Sequence, residues 1–126
     1  MSIRHIKGGN ITSSPLPFSP AVEAENFIFI SGQASVDKEG KIINDTFENE
    51  CRRSFENVRT ILSACGLSFQ NVVQVRNYLG RQEDLVEFNK IYKEYFAEPY
   101  PARTTLIGCL GNLLKFEVDV VAYRKK

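Results

Sequence analysis

The sequence is poor in the residues on which many enzyme sites depend. Its 126 residues include no tryptophan, one methionine, one histidine and three cysteines. The histidine, His5, lies near the N-terminus, which excludes His-based triads and multi-histidine metal sites unless His5 folds into a pocket. Any chemistry must therefore use carboxylates, arginines, hydroxyls, thiols or the backbone.

The cysteines are odd in number and widely spaced. Cys51, Cys65 and Cys109 form no CxxC pair, which argues against a zinc knuckle or a thioredoxin-type site. Three reduced thiols are typical of a cytoplasmic protein. Cys51 and Cys65 fall on the apolar face of a predicted helix, where we expect core thiols, and we interpret Cys109 as structural as well.

A dominant charge and long hydrophobic runs are also missing. The 16 Lys and Arg residues balance 15 Asp and Glu residues, so the net charge of +1 offers no cationic field for nucleic acid. No run approaches the roughly 18 apolar residues of a membrane span, and the first residues lack the apolar segment of a secretion signal. We expect one cytoplasmic globular domain over residues 1–126, with an N-terminal strand and loop over 1–16.

The hydrophobic pattern changes along the chain from strand to helix and back. Strands are predicted at 2–7, 21–24, 27–30, 72–79, 104–109 and 114–123, with a brief pairing at 41–43. One helix is capped by Asp45 or Thr46 and ends at Gly66, and a second opens at Glu83 and ends before Pro99. The strand at 27–30 is expected to close at Ser31-Gly32, where glycine allows either a positive φ or a close backbone approach.

This order of elements predicts an α+β fold in which two long helices cover one face of a mixed sheet. In the last strand Lys115, Glu117 and Asp119 alternate with apolar residues, so one face of the strand is apolar and the other carries two carboxylates. That charged face is either solvated or lines a cleft or a subunit contact.

Five short motifs occur together along the chain. They are Pro17-Phe18-Ser19-Pro20, Phe29-Ile30-Ser31-Gly32-Gln33, Phe88-Asn89, Tyr100-Pro101-Ala102-Arg103-Thr104-Thr105 and Phe116-Glu117-Val118-Asp119. Over about residues 17–122 the chain resembles the Rid family of reactive intermediate imine deaminases. The resemblance implies a chorismate-mutase-like fold, a homotrimer with active sites between subunits, and no metal or organic cofactor.

The same resemblance implies an activity and two catalytic residues. Family members hydrolyse small 2-imino acids and enamines such as 2-aminoacrylate to 2-keto acids and ammonia. Arg103 occupies the position of the arginine that binds the substrate carboxylate, and its planar guanidinium suits two charge-assisted hydrogen bonds. Glu117 matches the carboxylate that positions or activates the attacking water.

Five further residues match substrate-binding positions of the family. Ser31 and Gly32 approach the ligand through side chain and backbone, Asn89 contributes a polar group from a helix, and Thr105 places a small hydroxyl near the substrate. Phe18 keeps an aromatic wall but lacks the tyrosine hydroxyl that many members have. The loop at 106–113 is one residue shorter than is usual, which bears on substrate range.

Three other functions stay open. The same trimer would serve as a non-enzymatic binder or regulator that holds a small imino or keto acid. Nucleic-acid processing is a second alternative, against which the near-neutral charge argues. A chorismate-type mutase shares the fold and also uses arginine and glutamate, but fold similarity alone does not transfer an activity. We expect neither a nucleic acid nor a membrane as a partner.

Overall fold

The structure is a computed structural model that describes residues 2–125, so the first and last positions of the predicted domain lie outside the described residues. Within the described residues the chain forms one six-stranded sheet and two α-helices. The strands are β1 (Ile3–Ile6), β2 (Ala21–Ala24), β3 (Phe27–Ala34), β4 (Val72–Leu79), β5 (Ala102–Ile107) and β6 (Phe116–Tyr123). The helices are α1 (Phe47–Ala64) and α2 (Leu85–Tyr95).

The strand order in the sheet is β1-β2-β3-β6-β4-β5. Strands β4 and β5 are parallel, and every other neighbouring pair is antiparallel. The parallel pair requires a crossover, which α2 provides. The mixed α+β sheet predicted from the sequence is therefore confirmed. This order places Glu117 on an interior strand, β6, and Arg103 on the edge strand β5.

Helix α1 begins and ends where the sequence predicts. Thr46 is the N-cap, and its side chain accepts a hydrogen bond from the backbone N–H of Asn49 at 3.2 Å. After α1, Gly66 adopts a φ of 72°, in the left-handed region that glycine favours. Neither helix of residues 2–125 is long and apolar enough to cross a membrane.

Both helices pack on the same face of the sheet. In β6 the side chains of Phe116, Val118 and Val120 are buried and join one core with Phe55 of α1 and Phe88 of α2. The Phe116 ring lies 5.4 Å from that of Phe55 and 5.5 Å from that of Phe88, distances at which aromatic pairs stabilise a core.

The opposite face of the sheet, here called the open face, is uncovered in a single chain. Phe27 and Phe29 of β3 are 40% and 48% exposed there, and Tyr123 of β6 is 37% exposed. The helix-covered face is therefore the interior of the protein, whereas the open face presents aromatic side chains to its surroundings.

A buried carboxylate fixes the start of β6. Glu50 of α1 is fully buried and accepts hydrogen bonds from the backbone N–H of Lys115 at 3.0 Å and from that of Asp45 at 3.0 Å. The Glu50 carboxylate also forms a salt bridge with the Lys115 ammonium, at 3.2 Å. These contacts tie the beginning of β6 to α1, two residues before Glu117.

Three sequence predictions are wrong in detail, and one is confirmed. Strand β3 does not end at Ser31-Gly32 but continues to Ala34, and β5 lies two residues earlier than predicted because Gly108, with a φ of 87°, follows it closely. The brief pairing predicted at 41–43 is confirmed, as an isolated antiparallel bridge between Ile42 and Val36. Helix α2 ends at Tyr95, well before Pro99.

The cysteines separate into two groups. Cys51 and Cys65 are buried free thiols in the core, as predicted, and burial raises the pKa of both. Cys109 is exposed in the loop after β5 and lies outside this core.

Candidate active site

A β-bulge interrupts β3 at the Ser-Gly motif. Ile30 pairs with Val120 and Gln33 with Val118, so Ser31 and Gly32 share the place opposite a single residue of β6. Such a bulge bends a strand locally and re-aims its side chains. The motif is therefore a mid-strand irregularity rather than the strand end that the sequence predicts.

The bulge is tied to the N-terminal loop. The Ser31 backbone N–H donates to the Pro20 carbonyl at 2.9 Å, and its hydroxyl donates to the Ser19 carbonyl at 2.6 Å. Phe18 precedes this contact directly and is 49% exposed. Phe18 is therefore the residue just before the Ser19-Pro20 segment that is hydrogen-bonded to Ser31.

Glu117 lies over Gly32. It points to the open face, because its neighbours Phe116 and Val118 point into the core. A Cβ atom at Gly32 would overlap Oε2 of Glu117 and lie 3.1 Å from its carboxyl carbon. Of the two reasons for a glycine here, the structure therefore supports the close approach, since Gly32 has no positive φ.

The surroundings of Glu117 favour its protonated form. Burial raises the pKa of its carboxyl above the usual value, and the neighbouring Asp119 raises it further. A carboxylate whose pKa moves toward neutrality is better suited to exchange a proton with a bound water or leaving group.

Asp119 is held by two residues of β4. Arg76 Nε donates to Oδ1 at 2.9 Å, and the Tyr78 hydroxyl donates to Oδ2 at 2.6 Å. Burial, followed by this contact with Asp119, raises the pKa of Tyr78 to about 12. Asp119 is thereby fixed next to Glu117 as a carboxylate that is already paired.

Arg103 lies on the helix-covered side, at the edge of the sheet. Its guanidinium carbon is 5.0 Å from the centre of the Phe88 ring and 4.8 Å from that of Tyr92. Two such cation–π contacts hold the guanidinium plane without using its N–H donors. The donors therefore stay available to an anionic ligand.

A cavity of about 450 Å³ opens beside Arg103. Its lining consists of Asn89, Tyr92, Lys93, Tyr100, Pro101 and Arg103. Two cationic side chains and a helical amide, beside two tyrosines and a proline, are suited to a small organic acid. The structure brings Asn89 and Arg103 together, as the sequence predicts.

Thr105 lies next to Arg103 on the same face of β5. Its hydroxyl is buried and has no hydrogen-bond partner among residues 2–125. We use the name arginine half-site for Asn89, Arg103 and Thr105.

The second group, Ser31, Gly32 and Glu117, forms the carboxylate half-site. It lies on the other face of the sheet. Arg103 is in register with the buried Val75, which fixes its side chain on the helix-covered side. Glu117 is in register with Tyr78 on the open face. One chain therefore cannot present Arg103 and Glu117 to the same small molecule, and the two half-sites can share a ligand only across two copies of the chain.

Sequence reasoning missed three residues around these half-sites. Tyr92 and Tyr100 form the aromatic lining beside Arg103, and Tyr78 holds Asp119. In β4 Arg76 and Tyr78 alternate with buried residues, and this alternation predicts that Tyr78 lies on the face opposite the core. Tyr92 follows Asn89 by three positions, so the helical period would have placed both on one side.

The sequence matches a known family over most of its length. The family model described as Endoribonuclease L-PSP matches residues 11–124. A RutC family protein of Pyrococcus horikoshii is 36% identical over 111 residues, which cover 86% of this chain and 88% of that protein.

Two further comparisons concern a named enzyme and a solved structure. The human protein named 2-iminobutanoate/2-iminopropanoate deaminase is 33% identical over 108 residues, covering 84% of this chain and 79% of that protein. The crystal structure of E. coli TdcF with bound serine superposes with a TM-score of 0.85 at 28% identity, covering 97% of this chain and 99% of that one. This chain belongs to the Endoribonuclease L-PSP family, the Rid family that its motifs resemble, which includes reactive intermediate deaminases.

Proposed function

We propose that this protein hydrolyses small 2-imino acids and their enamine tautomers, such as 2-aminoacrylate, to 2-keto acids and ammonia. The observation that carries the proposal is the pair of half-sites. One offers a guanidinium with free donors beside a cavity for a small acid, and the other offers a half-buried carboxylate with a raised pKa. The 33% sequence identity with the human 2-iminobutanoate/2-iminopropanoate deaminase supports the same substrate class.

In the proposed reaction Arg103 binds the substrate carboxylate through two parallel hydrogen bonds. The ionised Glu117 accepts a proton from a water molecule as its oxygen attacks the imine carbon. The C=N bond becomes single, and return of the proton to nitrogen gives the carbinolamine. Glu117 then takes the proton of the carbinolamine hydroxyl and passes it to the same nitrogen as the C–N bond breaks, which releases ammonia and leaves the keto group. One water molecule is consumed, and Glu117 is regenerated.

The proposed assembly is a homotrimer whose active sites lie between subunits. Arg103 and Glu117 point to opposite faces of one sheet, so a complete site needs the arginine half-site of one copy and the carboxylate half-site of another. The exposed Phe27, Phe29 and Tyr123 make the open face a natural subunit contact. The proposed ligand is a small imino or keto acid, with no metal or organic cofactor.

The proposed compartment is the cytoplasm, where free thiols such as those of Cys51 and Cys65 persist. Two fungal relatives, mmf2 of Schizosaccharomyces pombe and MMF1 of Saccharomyces cerevisiae, are named as mitochondrial.

The test follows keto-acid release while a pyridoxal-phosphate lyase generates 2-aminoacrylate. We expect Arg103→Ala to lower kcat/KM by at least about 100-fold, and Arg103→Lys to lower it by about tenfold because the ammonium lacks the planar fork. Arg59→Ala is the matched control. Arg59 also lies over two aromatic rings, those of Phe69 and Tyr95. It belongs to α1 and lies outside both half-sites.

Activity of Arg103→Ala equal to that of the wild type would exclude this mechanism. A second candidate, a non-enzymatic metabolite-binding trimer, is favoured by the phenylalanine at position 18, which offers no hydroxyl to a substrate or water. Calorimetric binding of a 2-keto acid without turnover of any imine would support that alternative.

A further inference from the structure

A buried amide in β4 has no hydrogen-bond partner. Asn77 is fully buried, and neither its Oδ1 nor its Nδ2 finds a partner among residues 2–125. Its neighbours on the same side of β4, Val75 and Leu79, are fully buried and apolar. Since burying an unpaired amide is unfavourable, a polar residue at this core position calls for an explanation.

The backbone offers no explanation for the amide. Strand β4 lies inside the sheet, between β6 and β5, so its own N–H and C=O groups are engaged in the ladders on both sides. Asparagine side chains that bind backbone groups are found at turns and at the edges of sheets, and Asn77 is at neither place. The amide is therefore free to serve side chains or a ligand on the helix-covered side.

The amide lies beside the arginine half-site. Asn77 is in register with Thr105 of β5, whose buried hydroxyl also lacks a partner among the described residues. Arg103 is two residues before Thr105 and on the same face. The hydroxyl of Tyr92, whose ring carries the Arg103 guanidinium, is a third buried group without a partner. The three unpaired polar side chains thus lie on the strand of Arg103, on the neighbouring strand β4 and on the tyrosine that contacts the Arg103 guanidinium.

We propose that Asn77 is a specificity-determining positioning residue that orients the Thr105 hydroxyl toward a polar side chain of the substrate. This inference rests on the proposed function. It assigns the site a preference for 2-imino acids whose side chain carries a hydroxyl or a carboxamide over those with a plain alkyl side chain. Asn77 is too deeply buried to touch the substrate, so it acts through Thr105.

The preference follows from hydrogen-bond satisfaction. In the proposed complex a substrate hydroxyl beyond the carboxylate pairs with the Thr105 hydroxyl, and the Thr105 side chain turns to pair with the Asn77 amide, so that both groups gain the partners they lack in the free chain. An alkyl side chain of equal size leaves these groups buried without partners. Sites built to bind a hydroxyl discriminate strongly against the analogue that lacks it, for this reason.

The experiment compares two imino acids that differ only in a terminal hydroxyl and a terminal methyl. An L-amino-acid oxidase generates them in situ from homoserine and from norvaline, and deamination is followed for each. For the wild type we expect kcat/KM to favour the hydroxylated substrate by about tenfold. Asn77→Leu, which keeps the branched shape and removes both polar atoms, should abolish the preference through a higher KM for that substrate. Asn77→Thr, which keeps one hydroxyl, should retain part of it.

Ser54→Ala is the matched control, because Ser54 is a fully buried hydroxyl on α1 outside the half-sites and should leave the ratio unchanged. Equal wild-type rates for both substrates, with no change in Asn77→Leu, would overturn this inference and leave the proposed function intact. Equal losses on both substrates in both Asn77 variants would also overturn it, since the amide would then be structural. A wild-type protein that deaminates neither imine would instead refute the proposed function.

Discussion

At the scale of single residues, the most informative contact is that between Gly32 and Glu117. The sequence leaves two reasons for a glycine after Ser31, a positive φ or a close approach. The structure decides for the approach of a carboxylate that comes from a strand about 85 residues later in the chain. No local pattern reports such a contact.

Gly32→Ala tests this contact. The new Cβ would displace the end of the Glu117 side chain rather than any backbone, so we expect kcat to fall by at least about tenfold. The free energy of unfolding should change by less than about 1 kcal/mol, since the displaced group is flexible. Steady-state kinetics and urea denaturation measure the two quantities.

Gly80→Ala is the control for Gly32→Ala. Its Cβ would lie 3.3 Å from the carbonyl oxygen of Leu114, so it meets backbone instead of the site carboxylate. We expect stability rather than kcat to respond in this variant. An unchanged kcat in Gly32→Ala would show that the position of Glu117 does not matter for turnover.

At the scale of secondary-structure elements, the first helix is the part that local signals describe best. Thr46 caps it, Glu48 and Glu50 occupy the first turns, and Gly66 follows its end. These signals act within four or five residues along the chain, so they can be read from the sequence.

Thr46→Ala should lower the free energy of unfolding by about 1 kcal/mol, because the backbone N–H of Asn49 loses its acceptor. Thr60→Ala serves as the comparison. Thr60 lies within the same helix and only back-bonds to the Glu56 carbonyl, so its removal should change stability by less than about 0.5 kcal/mol. Equal effects in the two variants, measured by urea denaturation, would contradict the role of the cap.

The β1–β2 edge of the sheet depends on one carboxylate. Glu23 of β2 accepts from Arg124 Nε at 2.8 Å and from Arg4 of β1 at 2.7 Å. The hydrogen bond from Arg124, and then that from Arg4, lower the pKa of Glu23 to about 2. The carboxylate thereby joins the first strand and the end of the chain to the same edge.

Glu23→Gln should destabilise the protein by about 2 kcal/mol at pH 7, since it removes charged hydrogen bonds. The folded-state pKa is lowered, so this stabilisation is complete above the unfolded-state pKa near 4.5 and is lost as the pH falls toward about 2. The difference between variant and wild type in urea denaturation should therefore shrink from pH 5 downward. Glu39→Gln, at an exposed turn, should show little difference at any pH, and a pH-independent difference for Glu23→Gln would refute this account.

At the scale of the whole molecule, the two half-sites lie on opposite faces of one sheet. Residues 103 and 117 are close in sequence, and that proximity alone suggests one pocket in one chain. The strand register rules out such a pocket, because the side chain of Arg103 lies on the same face of the sheet as that of Val75, whereas the side chain of Glu117 lies on the other face. The complete site proposed above then requires a contact between copies, and a head-to-tail contact is the kind that closes into a ring.

Mixing two inactive variants tests the shared site. In a ring that assembles at random from equal amounts of Arg103→Ala and Glu117→Gln chains, about a quarter of the interfaces combine one intact arginine half-site with one intact carboxylate half-site. We expect about that fraction of wild-type activity after the two variants are unfolded and refolded together. Each variant refolded alone is the control. Activity no higher than that of the controls would mean that both residues act within one chain.

The sequence alone determined the α+β class, the limits of the first helix and the buried positions of Cys51 and Cys65, because these follow from local periodicity and capping. It also led to the family through short motifs. The tertiary structure alone decided the bulge at Ser31-Gly32, the closeness of Gly32 to Glu117 and the separation of Arg103 from Glu117. Each of these depends on which strands are neighbours and in which register, and pairing between distant strands leaves little trace in local sequence.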